Sequence, residues 1–211
     1  MPCRRMLDEL NALHTDFRAL SVRVEGAVAE LARALQEPDG EVSADGDEPV
    51  SEQVRRVVER CRGILLLYQP VAVDFRRVTA ILRAATELER IGDLAAEITG
   101  RTAELSASRF PVLRGLSELA ASVCGMIHRA LDADGSHHPE PVEPMVRARA
   151  EATARASALT EQLAATMKVD PEAVEPGLTL FAVVRDLQRI ADHAAGLVGA
   201  EGQRPISRLS R

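Results

Sequence analysis

A twelve-residue stretch occurs twice in this chain, 99 positions apart (186 minus 87). Glu87-Leu88-Glu89-Arg90-Ile91-Gly92-Asp93-Leu94-Ala95-Ala96-Glu97-Ile98 aligns with Asp186-Leu187-Gln188-Arg189-Ile190-Ala191-Asp192-His193-Ala194-Ala195-Gly196-Leu197. Pro70 and Pro171 stand at similar places ahead of the two copies. A repeat of this length marks duplicated supersecondary units that bury their apolar faces together. Chain breakers cluster at Glu37–Pro49, Gln69-Pro70, Ser106–Pro111, Asp134–Pro144 and Asp170-Pro171. Between them lie six segments, 4–36, 49–68, 71–105, 112–133, 144–168 and 172–200, with apolar residues recurring at three and four. That period belongs to amphipathic helices. Val54, Val57, Val58, Cys61, Ile64, Leu65 and Tyr68 form such a stripe, and Leu113, Leu116, Leu119, Ala120, Val123 and Ile127 form another.

Composition agrees with helix. Ala occurs 33 times, against four Phe, one Tyr and no Trp. Ala favours helix, and aromatic residues favour strand. The sequence therefore predicts an all-α protein: six helices as two tandem antiparallel three-helix bundles, related by a pseudo-two-fold internal repeat. The expected boundaries are 1–107 for the first bundle, 108–203 for the second and 204–211 for a C-terminal tail. Helices of about 30 residues run about 45 Å, so the bundles should be elongated. Pro111 and Pro171 suit first helical turns, Asp170 suits an N-cap, and Asp47 or Ser51 could cap the second helix.

The same composition removes whole classes of function. A net charge of −6 and so few aromatic rings argue against nucleic acid as the main partner, which needs clustered positive charge and, for single strands, stacking platforms. No uncharged apolar run reaches the roughly 18 residues a membrane helix needs. The opening MPCRRMLDELNALH lacks the apolar run and cleavage site of a signal peptide. Cys3, Cys61 and Cys124 are odd in number and without a CxxC pair, as expected of reduced, inert thiols in a cytoplasm. No Gly-rich phosphate loop, GxSxG, HExxH or Glu-x-x-His occurs, so nothing marks an enzyme.

Helical geometry turns the repeat into chemistry. On the third helix Leu88, Ile81, Ala85, Val78, Val71, Leu82 and Phe75 should cover the core face. Arg76, Arg83, Arg90 and Arg101 should form a solvated one. Glu89 and Asp93 are i,i+4 neighbours at about 100–140° from Leu88, the azimuth of Val71, Leu82 and Phe75. Two acids there repel each other and resist desolvation, so they call for a cation or for arginines from a neighbouring helix. In the second copy Gln188 and Asp192 take their places. Oxygen ligands of this kind suit Mg²⁺, Mn²⁺ or iron. Structural salt bridges account for the pattern equally well. His137-His138 with Glu140 and Glu143 read as a solvated linker, His193 as a surface residue, and His14 and His128 as lone histidines.

At these residues the chain resembles the PhoU family of phosphate-transport regulators. Leu88-Glu89-Arg90-Ile91-Gly92-Asp93 matches that family's LERIGD motif in full. Leu187-Gln188-Arg189-Ile190-Ala191-Asp192 matches it with Gln for Glu and Ala for Gly. Gln69-Pro70-Val71-Ala72-Val73-Asp74-Phe75-Arg76 is similar to its QPxAxDLR lead-in. Phe17–Leu20 through Ala32–Leu35 is similar to its first helix, so the resemblance spans about 4–200. It implies a non-enzymatic, cytoplasmic negative regulator of the phosphate-starvation response, usually a homodimer. Such a regulator connects the ATPase subunit of a phosphate ABC transporter with a sensor histidine kinase. It also implies a divalent or iron-type metal at Glu89, Asp93 and Asp192, with Glu87, Glu97, Asp186 and Gln188 as neighbours. Gln188 removes one anionic ligand from the second site. The Asn that family members often carry four residues beyond the motif Asp is Glu97 in one copy and Gly196 in the other. Two other readings remain: a carboxylate-bridged metal protein in a helical bundle, and a diverged scaffold for another transporter.

Overall fold

The computed structural model describes residues 4–36, 49–105, 113–135 and 142–201. These form six α-helices and no strand: α1 (Arg4–Gln36), α2 (Val50–Tyr68), α3 (Ala72–Leu105), α4 (Leu113–Gly135), α5 (Val142–Val169) and α6 (Val174–Glu201). A 3₁₀ turn, Pro171–Ala173, precedes α6. The all-α expectation therefore holds, and each helix lies within a few residues of its expected span. The linker histidines, Glu140, Cys3, Asp47 and Pro111 lie outside the described residues.

The start and stop signals act as expected at one site and otherwise at the next. Asp170 caps the turn into α6, its side chain accepting a hydrogen bond from the Glu172 N–H at 3.0 Å. Ser51 does not cap α2: Pro49 holds that position and no side chain bonds the first-turn N–H groups. Between α2 and α3 the chain turns in three residues. Gln69 closes α2 in the left-handed conformation at φ 45°, and Ala72 opens α3 at φ 47°. Neither is glycine, and left-handed backbone costs each about 1 kcal/mol or more. Pro70 between them is buried, which anchors the turn.

Each set of three consecutive helices packs on itself: α1, α2 and α3 in one bundle, and α4, α5 and α6 in the other. The bundles also meet along two seams, α3 against α6 and α1 against α4, which leaves α2 and α5 on the outside. Buried residues of both bundles belong to one continuous apolar cluster, with Leu88, Ile91 and Leu94 of α3 and Leu187, Ile190 and Ala194 of α6 among them. At about 25 cal/mol per Å² of apolar surface, this cluster is the main stabilising term.

Gly92, the glycine of the first motif, has a packing reason. A Cβ there would stand 3.0 Å from Val50 Cγ1, at the start of α2. The second copy carries a buried alanine, Ala191, at the same place. Two expectations about α3 fail. Val71 and Phe75 were expected in the core, yet both are exposed. Val71 lies just before α3 and Phe75 in its first turn, at the rim of the core stripe, where among the described residues no neighbouring helix covers them.

Arg60 of α2 ties α1 into the first bundle, reaching Glu9 at 2.8 Å and Asp16 at 2.9 Å. Beside it Cys61 is fully buried, with its Sγ 3.7 Å from the Val78 carbonyl oxygen. Burial pushes its thiol up to about 11, from an ordinary 9.0. The folded state thus holds this proton more tightly than the unfolded chain does. The resulting stabilisation is complete below about pH 9 and is lost as pH rises towards 11. Two measurements check this. Thiol titration with an alkylating reagent at pH 8 should leave Cys61 unmodified until denaturant is added. Urea midpoints should fall between pH 9 and 11 in the native chain, and fall less in Cys61→Ala.

Candidate functional site

The two copies of the repeated motif lie on α3 and α6, the pair of helices that forms the long seam between bundles. The helices run antiparallel there, since Glu87 meets His193 while Arg101, further along α3, meets Asp186, earlier on α6. The seven acidic or amide positions singled out in sequence divide into two groups by direction.

Glu87 and Asp186, equivalent under the 99-residue offset, both point into the seam and bind the other repeat. Asp186 is buried, its side chain 6% exposed. Its Oδ2 accepts from the Arg101 guanidinium at 2.8 Å, and Arg189 of its own helix stands 3.4 Å from Oδ1. Arg101 also donates to Glu97 at 2.6 Å, so one guanidinium bridges both repeats. Bonding to Asp186 holds Arg101 above its ordinary range, against the opposing pull of desolvation. At the other end of the clasp, Glu87 Oε2 lies 2.7 Å from His193 Nδ1. Gly196 makes room for this pair: a Cβ there would come within 3.1 Å of the Glu87 carboxyl carbon.

Two sequence expectations are corrected by this arrangement. Arg101 does not belong to a solvated arginine face; it turns inward to Asp186. His193 is not a free surface residue; it is half-buried against Glu87. The signal that could have found both was the shared position of Glu87 and Asp186, read together with antiparallel packing of α3 on α6. His128 likewise has a partner, Glu25, across the α1–α4 seam at 2.6 Å.

The motif acids themselves point outward. Glu89 is half-buried and Asp93 exposed, and neither has an ion pair or side-chain hydrogen bond with another described residue. Asp192 is paired: Arg149 of α5 donates to its Oδ1 at 2.6 Å. Gln188 is half-buried beside it. The structure thus brings Glu89 and Asp93 together but does not join them to Asp192. Among the described residues, no three His, Cys, Asp or Glu side chains are grouped as a metal cage. Glu89 and Asp93 fit a hard cation that keeps most of its water. The second motif fits poorly, with one neutral amide and one carboxylate already neutralised by arginine.

Comparison with known proteins bears on the whole arrangement. The model of the PhoU domain matches twice, over residues 17–102 and 116–198, once in each bundle. The chain belongs to the PhoU family. Relatives of this PhoU chain include a phosphate-specific transport system accessory protein PhoU homolog of Deinococcus radiodurans. That relative is 30% identical over 187 residues, covering 87% of this chain and 84% of its own. PhoU of Escherichia coli, also described as a phosphate-specific transport system accessory protein, is 27% identical over 194 residues, covering 90% and 80%. The crystal structure of PhoU from Pseudomonas aeruginosa superposes with a TM-score of 0.85 at 25% identity, over 92% of this chain and 95% of that one. PhoU from Streptococcus pneumoniae, at 21% identity and a TM-score of 0.80, shares the fold.

The PhoU seam yields a stability prediction. Asp186→Ala leaves Arg101 and Arg189 facing a buried gap and should cost about 1–3 kcal/mol in urea denaturation, because a desolvated partner is left unsatisfied. In a double-mutant cycle with Arg101→Ala, the coupling should be favourable and larger than that of the more exposed Arg149–Asp192 pair. Equal couplings for the two pairs would refute the buried clasp.

Proposed function

We propose that this PhoU chain is a non-enzymatic accessory regulator of phosphate uptake, working as a docking adaptor between a phosphate ABC transporter and a sensor histidine kinase. The observation that carries this reading is the match of both bundles to relatives described as accessory proteins of the phosphate-specific transport system. The architecture is compatible with docking. Its clefts are open, shallow grooves between helices, such as the one lined by Glu9, Arg56, Glu59, Arg60, Ile64 and Leu67. The described helices include none long and apolar enough to cross a membrane.

In this reading the chain senses phosphate indirectly, through the conformation of the transporter that its helical faces engage. The exposed arginines Arg83 and Arg90 of α3 and the outward acids Glu89 and Asp93 lie on surfaces available to such partners. The free carboxylates are also the place where a divalent or iron-type cation would sit, neutralising two like charges one helical turn apart. Homodimerisation and a cytoplasmic location belong to the same proposal.

Two measurements test it. Tagged protein should recover the transporter ATPase subunit and the sensor kinase, with recovery differing between high and low phosphate. Loss of the gene should release phosphate-starvation expression at high phosphate. Recovery of neither partner in both conditions, with expression unchanged, would overturn the adaptor. Metal analysis of the purified protein should find a divalent or iron-type metal that Glu89→Ala and Asp93→Ala each remove and Asp192→Ala does not. Equal metal content in all four proteins would remove the cation from the proposal.

A further inference from the structure

One end of the first bundle carries an unusual surface. Leu7 of α1, Leu66 and Leu67 of α2, and Val71, Val73 and Phe75 around the α2–α3 turn are between 46% and 78% exposed. These residues share one end. The Glu9–Arg60 pair sets the second turn of α1 beside the middle of α2, and a groove running from there to the end of α2 is lined by Glu9, Glu59, Arg60, Ile64, Leu67 and Tyr68. Six large apolar side chains standing in water at one tip form the kind of patch that marks a binding surface.

Charge says what the surface would meet. Arg4, Arg5, Arg62 and Arg77 are exposed and Arg76 is half-exposed around this tip, and among the described residues the nearby acids not paired with Arg60 are Asp8, Glu59 and Asp74. Arg62 and Leu66, and likewise Val73 and Arg77, are i,i+4 neighbours, so cation and apolar side chain share a helix face. The local balance among the described residues is positive, five arginines against three acids, in a chain whose net charge is −6. Screening isolates that balance. The Debye length is about 8 Å at physiological ionic strength, so acids tens of ångströms along the bundle are not felt at the tip.

We propose that this tip is a docking surface for the anionic phospholipid face of a membrane, with Leu66, Leu67 and Val71 entering the interface and the arginines lying against the headgroups. Apolar side chains ringed by cations are what interfacial binding requires. The turn is built for projection. Left-handed Gln69 and Ala72 flank buried Pro70 and present Val71 to solvent. A second copy of the same tip is a poor occupant, because pairing two tips would bring ten arginines together. The equivalent end of the second bundle supplies an internal contrast. There Val169, Val174 and Leu178 are also exposed, but Asp170, Glu172 and Glu175 outnumber Lys168 beside them, so an anionic surface is disfavoured. The proposal is independent of the adaptor reading and concerns direct lipid contact without any transporter present.

The experiment is vesicle flotation of the purified full chain. The vesicles are phosphatidylcholine and phosphatidylglycerol in equal parts, against phosphatidylcholine alone. Wild-type protein should float with the anionic vesicles only, and lose that binding in high salt. Leu67→Ser with Val71→Ser, and separately Arg76→Glu with Arg77→Glu, should weaken binding about tenfold or more. Leu178→Ser at the other end should leave it unchanged. Helical circular dichroism of each variant checks folding. Since the chain has no tryptophan, Val71→Trp places a single reporter at the corner, and its emission should shift to the blue with anionic vesicles. No flotation by the folded wild type, or flotation that both tip variants retain, would overturn the proposal. So would self-association that both tip variants abolish while vesicles leave Val71→Trp unshifted, which would assign the tip to a protein contact instead.

Discussion

The antiparallel contact of α3 with α6 determines most of what this molecule is. Each three-helix unit alone would leave an apolar stripe of its longest helix in water. With the two units pressed together, their buried residues, Leu88, Ile91, Leu187 and Ile190 among them, form one continuous core. Hydrophobic burial has no direction, however, and two smooth stripes can slide. The charged clasp supplies the register. Arg101 against Asp186 and Glu87 against His193 can form together at one alignment of the helices. Buried ion pairs add little net stability once desolvation is counted. Their effect here is to make every other alignment cost an unpaired charge.

That division of labour explains why acids recur at such close spacing on these helices. Positions 87 and 186 face the seam and are structural. Positions 89 and 93, only two and six residues further on, lie away from the seam and have no ion pair with another described residue. A helix advances about 100° per residue, so a step of two moves an acid from one job to another. The second repeat has kept the structural acid and diluted the outward pair, through Gln188 and the Arg149 contact to Asp192.

Much of this was legible in the chain. Helix number, span and class followed from breakers and from the three-four period, since those signals are local and dense. The repeat predicted two three-helix halves, though not the seams along which they meet. What failed were statements about azimuth at the ends of elements. Val71 and Phe75 share the angular position of half-buried Leu82, but angle alone does not say where a neighbouring helix stops. Arg101 read as solvated because its partner is 85 residues away. His193 read as surface because its acid lies on the other repeat. Arg149 was invisible as the partner of Asp192, since nothing in local spacing links α5 to α6. The outward position of Glu89 and Asp93 was missed for the same reason, since they share the azimuth of Val71, Leu82 and Phe75, which reads as core.

The notch at Gly196 records how far the halves have diverged. Under the repeat offset, Gly196 corresponds to Glu97 and His193 to Leu94. If two first halves paired with each other, as in a homotypic ancestor, Glu87 would meet a leucine and another carboxylate in place of an imidazole and an open groove. The present halves are therefore complementary rather than interchangeable. The fusion that began as a convenience of covalent linkage has become obligatory, because each half now carries the counterpart that the other has lost.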